Sequence, residues 1–116
     1  MRKGARILVS LAAIGGLFSI SAGALGQGAS AGKTYTVEMG NMVYAKVPTT
    51  AKVGDTIVWV NKDTVQHSAT AKDGSFDVRL QPGQKGRTVL KKAGKLAFYC
   101  IYHSLMRGTL PVAAAS

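Results

Sequence analysis

The chain beyond residue 31 reads as an all-β sandwich or barrel of seven to eight strands, on three observations. Short stretches rich in Val, Ile, Thr and aromatic residues recur at intervals of about ten residues. Gly, Asn, Asp and Pro clusters separate them. No helical period of apolar residues survives in this region.

The elements follow in order. Thr34 to Met39 alternates polar and apolar residues, as a half-buried strand does, and Gly40-Asn41 ends it. Met42 to Tyr44 and Thr50 to Val53 are weaker strands with Pro48 between them. Gly54-Asp55 is a turn, and Thr56-Ile57-Val58-Trp59-Val60-Asn61 is the strongest strand of the chain. Gln66 to Ala71 is another, stopped by Asp73-Gly74. Phe76 to Leu80 is short and ends before Pro82-Gly83. Gly86 to Lys91 and Lys95 to Cys100 flank Ala93-Gly94. Arg107 to Val112 closes the domain, and Pro111 suggests an edge position there.

The first 31 residues have a different plan. Arg2, Lys3 and Arg6 form a basic start, and an apolar run follows from Ile7 to Leu25. Ala22-Gly23-Ala24 and Ala29-Ser30-Ala31 are small-residue cleavage signals. That is the order of a secretory signal peptide, so 1–31 is set apart, with the cut expected between 24 and 31. An uncleaved anchor is the alternative, but Gly15, Gly16, Gly23 and Gly26 dilute the run. No Cys follows it to take a lipid, and no twin-arginine pair precedes it. A periplasmic location is the expectation, with no stable membrane insertion after cleavage.

The remaining domain, 32–116, is 85 residues long. A domain of that size buries only about 60–65% of its unfolded surface. Exported domains this small often add disulfides, but a single cysteine cannot close one internally. A metal is the obvious substitute. An odd thiol in an oxidising compartment also needs a use or protection, which directs attention to Cys100.

Without Arg2, Lys3 and Arg6, 12 of the 15 Lys and Arg remain against 5 Asp and Glu, a net charge of +7. The cations are scattered and only Lys91-Lys92 and Lys95 cluster, so nucleic acid is not the expected partner. An acidic protein partner met by electrostatic steering suits such a surface. Nothing in the sequence requires an oligomer, and a monomer is expected.

Nitrogen and sulfur donors in this domain are few: His67, His103, Cys100, Met39, Met42 and Met106. Three of them fall in the seven residues Cys100-Ile101-Tyr102-His103-Ser104-Leu105-Met106. The Cys-x2-His-x2-Met spacing sits where a strand ends and the chain must reverse before Arg107-Gly108. In such a loop, side chains three residues apart can converge on one point. His67 lies 33 residues upstream of Cys100, after the Trp59 strand, and a sandwich can bring the two segments together at one end.

Two imidazoles and a thiolate suit copper, and a weak axial thioether completes a type 1, or blue, electron-transfer site. The thiolate is polarisable enough to serve Cu(I) and Cu(II) alike. The imidazoles satisfy Cu(II), and the soft thioether suits Cu(I). Taken singly, each residue has a plainer role: His67 a surface histidine, Met106 a core residue, Cys100 a small buried hydrophobe. Taken together, both histidines and the lone cysteine fall into one scheme. One copper ion per chain, held by His67, Cys100, His103 and Met106, is the expectation.

Other chemistries fit worse. Covalent haem needs Cys-x-x-Cys-His, which is absent. Multicopper catalysis needs more histidines than two. Zinc accepts His2Cys, but methionine is a poor fourth ligand for it. Hydrolase chemistry lacks a carboxylate plainly placed to orient a base, so an enzyme is not expected. A copper carrier that hands on Cu(I) could use the same ligands, but the open Met- and His-rich tracts of carriers are missing. A metal-free interaction domain would leave the exported thiol unexplained.

The sequence from Thr34 to Val112 resembles the cupredoxins, most closely their amicyanin and plastocyanin-like branch. The motifs are Val53-Gly54-Asp55-Thr56-Ile57-Val58-Trp59-Val60-Asn61, Gln66-His67-Ser68, and Cys100-x2-His103-x2-Met106-Arg107-Gly108. The short ligand loop is similar to the amicyanin type. Tyr102 and Ser104 stand where that type has prolines, and Leu105 where it has an aromatic residue. The resemblance implies a Greek-key sandwich with copper near one end. It implies that the N–H of Ser68 donates to the Cys100 sulfur and that Asn61 pins the loop carrying His67. It also implies that His103 is the electron port, ringed by Tyr102, Leu105 and Met42, where redox partners dock.

Overall fold

The computed structural model describes residues 32–115, so the expected signal peptide lies outside the described residues. Nine strands run through this region: β1 Thr34–Gly40, β2 Val43–Ala45, β3 Ala51–Lys52, β4 Thr56–Asn61, β5 His67–Ala71, β6 Asp77–Leu80, β7 Lys85–Val89, β8 Gly94–Cys100 and β9 His103–Ala113. The count exceeds the expected seven to eight because both weaker candidates pair as strands, β2 with β1 and the two-residue β3 with β9. Among the described residues no helix is long and apolar enough to cross a membrane.

The strands form two sheets, β2-β1-β4-β7 and β3-β9-β8-β5-β6. The strong strand read over Thr56 to Asn61 forms with those bounds and alternates in burial: Ile57, Trp59 and Asn61 are buried and the residues between them are half-buried. Trp59 from one sheet meets Phe98 from the other edge-on, ring centroids 5.3 Å apart. Phe76 and Tyr44 complete this aromatic centre at 5.7 Å from Trp59 and 4.7 Å from Phe98 respectively. Val37, Met39, Ile57, Leu96, Leu110 and Val112 extend the core around it. The Trp59 indole is buried with its polar edge satisfied, its Nε1–H donating to Thr88 Oγ1 at 3.0 Å.

Two segments differ from the sequence reading. The last strand begins at His103 instead of Arg107, so most of the expected ligand loop is extended chain. Its physical cause is a register shift between Tyr99 and Cys100, which lets Cys100 pair with His103 across a turn of Ile101 and Tyr102. Pro111 lies in β9, between β3 and β8, and is not on an edge strand. It is tolerated because β3 pairs only with Val112 and Ala113, beyond the proline.

Candidate metal centre

Four segments meet at one end of the sandwich. The end of β4 leads through 62–66 to His67 at the start of β5. The end of β8 supplies Cys100, and the start of β9 supplies His103 and then Met106. The segment before His67 is shaped by Asn61, which is fully buried. Its Nδ2 donates to the carbonyls of Val65 at 2.9 Å and Leu80 at 3.0 Å, and its Oδ1 accepts the Asp63 N–H at 2.9 Å. One amide side chain thus satisfies two backbone groups of the irregular 62–66 stretch and one at the end of β6.

Donor atoms of His67, Cys100 and His103 all lie within 4.8 Å of one another. His67 Nδ1 is 3.7 Å from the Cys100 sulfur, and the two imidazole rings are 5.0 Å apart at their centroids. A single ion bonded at about 2–2.3 Å to each donor bridges gaps of that size. His67 and Cys100 are 0% exposed and Met106 is 2% exposed, so water is kept from the pocket on three sides. His103 is half-buried and reaches the surface. There it lines a shallow groove of about 300 Å³ with Met42, Ser104, Leu105 and Met106.

The surroundings suit a thiolate. The Ser68 N–H donates to the Cys100 sulfur at 3.3 Å, as the family resemblance implied. The Ser68 hydroxyl accepts the N–H of Ile101 at 2.9 Å, tying the His67 arm to the turn after Cys100. Its carbonyl accepts the hydroxyl of Tyr44 at 2.5 Å. Burial, together with the nearby Cys100 charge, pushes the Tyr44 phenol well above its ordinary range, so it stays a donor.

His67 is oriented from behind. Its Nε2 lies 2.7 Å from Asp63 Oδ2, which places the proton on Nε2 and leaves the Nδ1 lone pair facing the pocket. The His67 hydrogen bond, then the Met42 N–H, hold the Asp63 carboxyl below the usual carboxylate range.

All four sequence-predicted residues therefore reach the same end of the fold, His67, Cys100 and His103 as one donor cluster and Met106 against the groove that His103 lines. Sequence reasoning missed Asp63 and Tyr44. Asp63 sits in a segment without period, where a spacing of four carries no facing information. Tyr44 belongs to a three-residue strand and acts on the opposite sheet.

A buried cysteine thiol flanked by two imidazoles, with an amide hydrogen bond to its sulfur, is the donor set of a blue-copper protein of the electron-transfer class. Residues 8–112 match the cupredoxin-like domain, and the chain belongs to the cupredoxin family. Over 68 residues it is 38% identical to the methylamine utilization protein MauL of Methylorubrum extorquens, covering 55% of this chain and 60% of that protein. It is also similar to the reduced Cu(I) form of an amicyanin variant, with 25% identity and a TM-score of 0.61 over 68% of this chain and 81% of that one. A purple cupredoxin from Nitrosopumilus maritimus shares the fold at 22% identity and a TM-score of 0.61, over 68% and 99% of the two chains. Family and donor set together make copper the cofactor, and the three clustered donors form a single site.

Proposed function

We propose that this protein is an exported carrier of single electrons, its copper held by His67, Cys100, His103 and Met106 and cycling between Cu(I) and Cu(II). The observation that carries the reading is the convergence of both histidines and the lone cysteine in a pocket closed except at His103. A buried site with one imidazole at the surface suits the passage of electrons, which supports reading the protein as a carrier and not as an enzyme. When bound, copper supplies the redox couple. The chain's own groups hold the geometry: Ser68 and Tyr44 brace the sulfur, and Asp63 and Asn61 brace His67.

Around His103, Leu105 is 87% exposed, Met42 43% and Tyr102 40%, an apolar patch on a cationic molecule. Redox proteins with acidic surrounds would dock there briefly, fast on and fast off. The protein acts in the periplasm as a monomer, after a signal peptide is removed by a cut between residues 24 and 31.

An optical titration of residues 32–116 with Cu(II) tests the reading. The expected result is an intense blue band that ascorbate bleaches and reoxidation restores, and that Cys100→Ser abolishes. Retention of the band in Cys100→Ser would overturn the assignment. A colourless product that takes only Cu(I) would indicate a copper carrier instead.

A further inference from the structure

Asp63 does more than face His67. Its Oδ2 also accepts the main-chain N–H of Met42, 21 residues upstream, at 3.2 Å. Asn61 fixes its own backbone, so the carboxylate stands as a post between two parts of the molecule. On one side is a fully buried imidazole, and on the other a surface turn.

That turn is unusual. Asn41 and Met42 form the two-residue connection between β1 and β2, with Gly40 paired to Val43. Both have left-handed backbone, φ 53° and 63°. Asparagine tolerates this conformation, but a methionine Cβ crowds the following carbonyl oxygen there, and glycine is the usual choice. The anchor at the Met42 N–H helps to hold the strained residue in place. Its side chain stands at the mouth of the groove beside His103 and Leu105.

We infer that Asp63 is a positioning residue that couples the exposed Met42 turn to the metal-facing imidazole of His67, so that contact at the turn alters the Cu(II)/Cu(I) preference. The inference rests on the copper reading above. Asp63 places a negative charge behind His67, which favours Cu(II) over Cu(I). The same oxygen is shared with Met42, so a partner that moves the turn changes how fully the carboxylate engages His67. The coupling is reciprocal: the oxidation state biases the turn by the same free energy with which the turn biases the copper.

Two measurements test it. In the metal-free protein, hydrogen exchange at the Met42 amide should be at least about tenfold faster in Asp63→Asn and Asp63→Ala than in the wild type. Asp73→Asn, which removes a surface carboxylate elsewhere, should leave it unchanged. In the copper protein, Asp63→Asn should raise the reduction potential by a preference change of about tenfold, or about 59 mV for one electron. Asp73→Asn should not. Met42→Pro deletes the donor and also rebuilds the turn, because proline holds φ at about −65° where Met42 has 63°. It should shift the potential at least about twofold in preference, and do so only when Asp63 is present. Equal Met42→Pro shifts in both backgrounds, or Asp63→Asn matching Asp73→Asn with Met42 exchange unaltered, would overturn the coupling while leaving the copper reading intact. A wild type that takes up no copper would overturn both, and would show it before any variant was made.

Discussion

Tyr44 stands in the four-stranded sheet and donates its hydroxyl across the sandwich to the carbonyl of Ser68 in the five-stranded sheet, 2.5 Å away. Ser68 is the residue whose own N–H meets the Cys100 sulfur. The phenol therefore braces the metal pocket from the opposite layer, while its ring packs edge-on against Phe98. A core aromatic and a site-supporting donor are the same side chain.

Tyr44→Phe separates the two roles. The ring contacts survive and the hydrogen bond is lost, at a cost of about 1–2 kcal/mol for a buried carbonyl left short of a donor. Denaturant unfolding should show that loss. The thiolate-to-copper band should also shift, because Ser68 is less tightly fixed. Loss of stability with an unchanged spectrum would reduce Tyr44 to a packing residue.

Met106→Gln tests the axial position. The two side chains are similar in size, but the amide offers a hard oxygen in place of a soft thioether. Hard donors favour Cu(II), so copper should stay bound while the reduction potential falls, by roughly 59 mV for each tenfold gain in Cu(II) preference. An unchanged potential would exclude Met106 as a ligand.

Asp55 concerns the other end of β4. Its buried carboxylate accepts the N–H of Lys33 and of Lys52, each at 2.9 Å, tying the start of β1 to β3. Those two backbone bonds, with burial opposing, hold its carboxyl below the ordinary range. A depressed acid stabilises the fold above its unfolded value of about 3.9, and that contribution is lost as pH falls through the folded value. Wild-type stability should therefore decline on acidification below about pH 4. Asp55→Asn should be less stable at neutral pH by about 1–3 kcal/mol and show a flatter acid limb, with the copper spectrum unaltered. An equally steep acid limb in the variant would assign the decline to other carboxylates.

Much of this was legible in the sequence, for identifiable reasons. The Trp59 strand announced itself because Thr56 to Val60 is an unbroken run of β-branched and aromatic residues after the Gly54-Asp55 turn. The cluster of His67, Cys100 and His103 was legible because Cys100 and His103 are close in sequence and the nitrogen and sulfur donors in the domain are few. What escaped depends on contacts between distant segments. The register shift at Tyr99 and Cys100 arises from pairing with β9, so the chain after Tyr102 looked like loop when it is strand. Asp63 meets Met42 only because the β1–β2 turn folds against the end of β4, and no local pattern encodes that meeting.

Gly108 shows how a motif residue outside the metal pocket can still bear on it. It pairs with Phe98 across β8 and β9, and the Phe98 ring folds over it. A Cβ at this position would lie 2.5 Å from the ring's Cζ, too close for any real contact. The ring has nowhere easy to go, because Tyr44, Trp59 and Phe76 surround it with centroids 4.7, 5.3 and 6.1 Å away. Gly108→Ala should therefore cost about 1–3 kcal/mol through overpacking. Displacement of the ring presses on Tyr44, and displacement of β9 carries Met106, two residues away. Either route disturbs the copper spectrum as well as the stability. Phe98→Leu, which vacates the space, should be destabilising alone but should cancel part of the Gly108→Ala penalty in the double variant. Strict additivity of the two losses would mean that the ring and the glycine do not constrain each other.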